Sequence, residues 1–155
     1  MKTKRLEPDG TDKRLIMELR KDCRRSYRQL ASALGMSPAA IMERMKWLEE
    51  KGYIQKYAVI PDWEKLGYEF VAAVQISMSH GAALLEVQKQ IAKLPGVAAV
   101  YDITGQYDSM AILKCKSRQE LSTLVKRILN LPKVEKTNTS MVLNVIKEVS
   151  EFSGV

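Results

Sequence analysis

Histidine occurs once in these 155 residues, at position 80, and cysteine twice, at Cys23 and Cys115. A single imidazole excludes a multi-histidine metal site within one chain and leaves a Ser-His-Asp triad only that residue to use. The cysteines lie in unrelated contexts, without CxxC or His-paired spacing, so no zinc site or redox pair is written here. Aromatic residues amount to only 6%. No apolar run approaches the ~20 residues that cross a bilayer, and the basic opening stretch Met1 to Pro8 has no apolar segment behind it. The expectation is a cytoplasmic protein with reduced thiols, no secretory signal and no membrane partner. Carboxylates and lysines are plentiful, yet the shortage of histidine favours a binding protein without a cofactor over an enzyme.

What is present is positive charge, unevenly placed. The formal net charge is +7. Residues 1–62 hold 14 Lys and Arg against 9 Asp and Glu, whereas residues 63–155 hold 11 against 9. A basic N-terminal segment points to a polyanion, most commonly nucleic acid. Hydrophobic residues make up 46%, enough for a core without disulfides or metals.

Helix signals dominate the first third. Thr11 reads as the cap of a helix burying Leu15, Ile16 and Leu19 on one stripe. Ser26 with Gln29 is a capping box that opens a second helix through Leu30, Ala31 and Leu34, ending at Gly35. Ser37-Pro38 opens a third, with proline at the helical position where its missing N–H matters least. Its buried face is Ile41, Met45 and Leu48, and Gly52 is its left-handed stop. Two helices around a tight glycine turn predict a helix-turn-helix. Ala31 lacks bulk, Gly35 takes positive φ and Ile41 plugs the crossing. Ile54 to Ile60 is expected to be a short strand, and residues 61–68 a connector.

Thereafter the rhythm becomes strand, helix, strand, strand, helix, strand. Phe70, Ala72, Val74, Ile76 and Met78 alternate on one strand face, and Leu84, Val87, Ile91 and Leu94 form a helical stripe. Val97 to Ile103 and Met110 to Cys115 flank the turn Thr104-Gly105-Gln106-Tyr107-Asp108. A helix opened by Ser117 with Glu120 then buries Leu121, Leu124, Val125 and Ile128, and a strand from Val134 to Ile146 closes the chain. Leu94-Pro95-Gly96-Val97 and Leu131-Pro132-Lys133-Val134 echo one another at helix-to-strand junctions. The fold class is therefore α+β: a winged helix-turn-helix over 1–60, a linker over 61–68, and a ferredoxin-like βαββαβ domain over 69–155. Its sheet leaves one face uncovered with alternating apolar residues, which predicts a dimer.

In a helix-turn-helix the last helix presents its first turns to the major groove. Ser37, Pro38, Ala39, Ala40, Met42, Glu43 and Lys46 lie away from its buried stripe. Ser37 and the free amides suit phosphate, and Ala39 and Ala40 suit thymine methyls. Arg44 reaches either DNA or a nearby acid. Arg24, Arg25 and Arg28, beside Ser26, suit the backbone or form a solvated face. Few long polar side chains stand at reading positions, so affinity is expected to lean on phosphate contacts and DNA shape.

The motifs D-x-x-L-I-x-x-L from Asp12, R-x-S-Y-x-x-L-A-x-x-L-G-M-S from Arg24, and I-x-x-R-M-x-x-L-E-x-x-G-Y-I from Ile41 follow in order. Leu66-Gly67-Tyr68, Pro95-Gly96-Val97, T-G-x-Y-D from Thr104 and T-x-T-x-M-V-L-x-x-x-K from Thr137 complete the series. Across essentially the whole chain this resembles the Lrp/AsnC, or feast/famine, family of transcriptional regulators. The resemblance implies an N-terminal DNA-binding domain. It further implies a C-terminal domain that forms dimers, assembles them into tetramers or octamers, and binds an amino-acid effector between dimers. Carried over by motif, the effector candidates are Thr104, Gly105, Tyr107 and Asp108, with Thr137, Thr139 and Ser140 of a neighbouring subunit. Gly105 would expose amides to a carboxylate and Asp108 would meet an ammonium group, although the same residues also make a good turn. One departure stands at the start, where Pro8-Asp9-Gly10 replaces the usual Leu-Asp before the first helix. The alternative is an enzyme resembling the sirohaem decarboxylases, which share the two-domain plan. A Soret band in the purified protein would mark that second reading.

Overall fold

The computed structural model describes residues 7–79 and 84–147; His80 lies outside them. The chain divides into two compact units between Ile60 and Pro61.

The first unit holds α1 (Gly10–Lys21), α2 (Tyr27–Leu34) and α3 (Pro38–Glu50). Leu15, Leu30, Ile41 and Leu48 are fully buried at its centre, with Ala31, Leu34 and Met45 around them. Each large apolar side chain removed from water contributes about 2 kcal/mol, so this small core rests on few residues. Gly35 closes α2 in the left-handed conformation at φ 67°. Ser37 caps α3, its hydroxyl accepting the Ala40 N–H at 3.2 Å.

Two expectations are corrected here. The cap of α1 is Asp9, not Thr11: Asp9 accepts the Asp12 N–H at 2.9 Å and Asp12 accepts the Asp9 N–H at 2.9 Å. This reciprocal box satisfies two end donors at once, which a lone threonine does not. Ile54 to Ile60 forms no strand, because it has no partner ladder among the described residues. Ile54 instead turns back onto α3, donating its N–H to the Leu48 carbonyl at 3.2 Å, while Val59 stays 89% exposed.

The second unit runs β1 (Phe70–Met78), α4 (Leu84–Ala92), β2 (Val97–Asp102), β3 (Ser109–Cys115), α5 (Arg118–Leu129) and β4 (Val134–Met141). The sheet order is β2-β3-β1-β4, with each neighbouring pair antiparallel. Ala72, Val74, Ile76 and Met78 meet Val87 and Ile91 of α4 and Leu121, Leu124 and Ile128 of α5 in one core. Both helices therefore cover one face, as the period-two and period-3.6 stripes require. β4 is shorter than expected. Met141 pairs with Ala72 near the start of β1, and beyond Val142, whose N–H reaches Val71 at 2.9 Å, the neighbour has run out.

The uncovered face is mixed rather than uniformly apolar. Tyr101, Met110 and Ile112 occupy its β2–β3 half, and on the β1–β4 half Asn138 donates to Gln75 at 3.2 Å. Residues 61–68 make a turn. Tyr68 N–H returns to the Trp63 carbonyl at 2.9 Å, the two rings meet edge-on at 5.4 Å, and Lys116 Nζ lies 5.0 Å from the Tyr68 ring.

The Leu-Pro-Gly-Val and Leu-Pro-Lys-Val echo is structural. Gly96 and Lys133 both adopt positive φ, 89° and 71°, and their carbonyls accept N–H groups from Lys114 and Ser79 at 2.8 and 2.9 Å. The left-handed conformation strains a residue with a Cβ. Lys133→Gly is therefore expected to raise stability by about 0.5–1 kcal/mol in urea melts. Gly96→Ala should lower it by about 2 kcal/mol, since a Cβ there would sit 3.0 Å from Leu124 Cδ2.

Candidate nucleic-acid interface and effector turn

The first-unit site is built on caps. Ser26 and Ser37 turn α2 and α3 out of extended backbone, which leaves Pro38, Ala39, Met42, Glu43 and Lys46 exposed along α3, with Ala40 half-buried. Ser37 spends its oxygen on the cap and keeps its O–H for an acceptor.

The cations around α3 divide by what holds them. Arg44 does not point freely outward: its guanidinium donates to Asp9 at 2.9 and 2.8 Å and to fully buried Asp12 at 2.8 Å. Of the two readings for Arg44, the acid partner is the one observed. Arg25 is likewise bound to Glu18 and reaches the Gln29 carbonyl at 3.4 Å. Lys21 and Arg25 hold the Glu18 carboxyl below its ordinary pKa. Lys46 lies 3.8 Å from Glu50. Arg24 remains 92% exposed, 4.0 Å from Asp22, and Arg28 is exposed without an ion pair among the described residues.

Sequence reasoning missed how the segment after α3 is pinned. Trp47 stacks on Tyr53 at 5.5 Å, and the Tyr57 hydroxyl donates to Glu49 at 2.7 Å. Partial burial, and then this bond, push the phenol above its usual pKa. Aromatics spaced around a helix end were the available signal.

In the second unit Thr104, Gly105, Tyr107 and Asp108 do form one turn, with Gly105 at φ 122°. The Asp108 carboxylate accepts the Met78 N–H at 2.7 Å, where the β1–β4 register shifts, and the Asp108 N–H donates to the Ile76 carbonyl at 3.0 Å. The turn is thus locked to the end of β1. Buried Gln88 of α4 donates to Asp102 at 2.8 Å and to fully buried Ser109 at 2.6 Å, clamping the cross-strand pair that flanks the turn. The inward phase of Ser109 was legible in β3; its partner on α4 was not. Lys136 Nζ lies 5.4 Å from the Tyr107 ring, a cation beside the turn that motif reasoning passed over. Thr137 and Thr139 pair with Ile76 and Val74, whereas Ser140 pairs with Ala73. Side chains alternate along a strand, so the two threonines share the helix-covered side and Ser140 lies on the open face.

Residues 8–55 match the model of a winged helix-turn-helix DNA-binding domain, and residues 71–152 that of the Lrp/AsnC ligand binding domain. The chain belongs to the Lrp/AsnC family of transcriptional regulators. An HTH-type transcriptional regulator of Pyrococcus abyssi is 41% identical over 140 residues, 90% of this chain and 95% of that one. LrpC of Bacillus subtilis has the same fold, with TM-score 0.82 and 26% identity over 92% of this chain and 99% of that one. Regulator NMB0573 of Neisseria meningitidis, solved as a complex with L-Met, gives TM-score 0.85 at 24% identity over 92% and 94% of the two chains. In this Lrp/AsnC regulator, no described helix is long and apolar enough to cross a membrane.

Proposed function

We propose that this regulator reads specific promoter DNA through α3 and responds to a free amino acid held at the 104–108 turn between dimers. The dimers would assemble into tetramers or octamers in the cytoplasm, and the chain would catalyse no reaction. The carrying observation is the first half of α3: a Ser37-capped turn followed by exposed, uncharged Pro38, Ala39 and Met42. Arg24 and Arg28 stand ready for phosphate, and Arg25 and Ser26 support them at the start of α2. Uncharged side chains can enter a groove close to the bases, and flanking cations hold the register.

The turn suits an amino acid for separate reasons. Asp108 uses one carboxylate oxygen on Met78, which leaves acceptor capacity for an ammonium group. Lys136 and the amides around Gly105 offer positive charge to a carboxylate, with Thr104 and Tyr107 alongside. Thr137, Thr139 and Ser140 of an adjoining subunit would supply hydroxyls, on one face of the strand or the other. The L-Met complex of the Neisseria regulator supports this class of effector. The half-apolar open sheet face supports the dimer.

A thermal-shift screen of the twenty amino acids at millimolar concentration tests the effector. One of them should raise the midpoint by mass action, and Lys136→Met should reduce that rise; no shift with any of the twenty sinks the effector claim. A salt titration beside a base-substitution scan tests the DNA mode. Weak salt dependence with sharp single-base discrimination would count against the phosphate-and-shape mode.

A further inference from the structure

We propose that the outward face of α5 is a second contact for the phosphate backbone of duplex DNA, carried by the unit that lacks the helix-turn-helix. The inference rests on the chain's DNA-binding role and extends it to a surface that role does not use. Charge in the second unit is segregated. Residues 61–113 hold three Lys and Arg against six Asp and Glu, whereas residues 114–136 hold seven against two. Six of those seven are exposed: Lys136, which lies by the Tyr107 ring, and the five residues Lys116, Arg118, Lys126, Arg127 and Lys133. None of the five has an ion pair among the described residues. Their environment contrasts with that of Arg25, Arg44 and Lys46, which pair with carboxylates in the first unit.

Helix stability does not explain the placement. Lys126 and Arg127 suit the C-terminal end of α5, but Lys116 and Arg118 sit at the positive end of its dipole, where a cation is unfavourable. Glu120 is the one acid on α5 and accepts the Lys116 N–H at 2.8 Å, leaving the outer rows basic. Cations kept at a local disadvantage without a carboxylate partner mark a surface that serves a partner. A polyanion with regularly spaced charge fits a twelve-residue helix that is cationic at both ends, Arg118 at one and Lys126 with Arg127 at the other, with uncharged Ser122 and Thr123 exposed between them. Duplex DNA is the polyanion this chain already binds. α3 supplies little of the required charge, since its exposed face carries Lys46 among Glu43, Glu49 and Glu50.

The test uses the full chain and a mixed-sequence duplex, with affinity followed by fluorescence anisotropy over a range of salt. The variant Arg118→Gln/Lys126→Gln/Arg127→Gln should reduce the slope of log K against log salt by about 2–3 per contacting protomer. Affinity at low salt should fall about 10- to 100-fold. If the triple variant is not folded by its thermal midpoint, Arg127→Gln alone should lower the slope by about 1. Arg24→Gln/Arg28→Gln, run in parallel, tests the helix-turn-helix contact by itself, so failure there is distinguishable from failure at α5. An unchanged slope in a folded α5 variant overturns the proposal. So does a loss that accompanies a change of oligomeric state in light scattering, because α5 would then be a subunit interface.

Discussion

Arg44→Met is expected to unfold much of the helix-turn-helix unit. The guanidinium is the bridge from α3 to both carboxylates at the start of α1, and Asp12 is fully buried beneath it. Removing the guanidinium takes from a desolvated carboxylate the ionic partner that α3 provides, which costs about 3 kcal/mol. A unit of this size has only about 5 kcal/mol in total, so the change consumes most of its stability. Urea melts followed by circular dichroism should show an early transition in the variant. Asp12→Asn in the Arg44→Met background should recover at least half of the loss, because asparagine keeps the acceptor for the Asp9 N–H without the charge. A loss below about 1 kcal/mol would mean that the cluster behaves as a surface ion pair.

The second large effect is on binding alone. Ala39→Glu should weaken DNA binding at least 100-fold while the fold stays intact. Ala39 is exposed in the first turn of α3, where the proposed groove contact is closest, and a carboxylate there meets phosphate with like charge at several kcal/mol. The same glutamate favours the helix N-terminus by a few tenths of a kcal/mol. Stability and affinity therefore move in opposite directions, and unfolding cannot mimic the result. Wild-type affinity in a folded Ala39→Glu protein would remove α3 from the interface.

Legibility followed locality. The caps at Ser26 and Ser37, the stop at Gly35 and the buried stripes of the five described helices are short-range patterns, and they set both the helix pair and the βαββαβ order. Asp9 escaped because its worth lies in a reciprocal bond with Asp12 and a contact from Arg44, thirty-five residues on. Gln88 escaped because its two partners are on neighbouring strands. The expected strand over Ile54 to Ile60 had strand-like composition, but a strand exists only with a neighbour. Composition could list the cations near α3; which of them a carboxylate had already claimed depended on tertiary structure.

The edge strand β4 carries a further consequence. It borders the sheet beyond β1, and its sequence, Val-Glu-Lys-Thr-Asn-Thr-Ser-Met, is almost wholly polar. A protein that associates through a sheet face courts runaway accretion, strand upon strand, unless its unsatisfied border repels newcomers. Glu135 and Lys136 put charge on that border, and Asn138 donates to Gln75 across the open face. In the proposed dimer, association would thereby be steered toward closed, countable complexes and away from filaments.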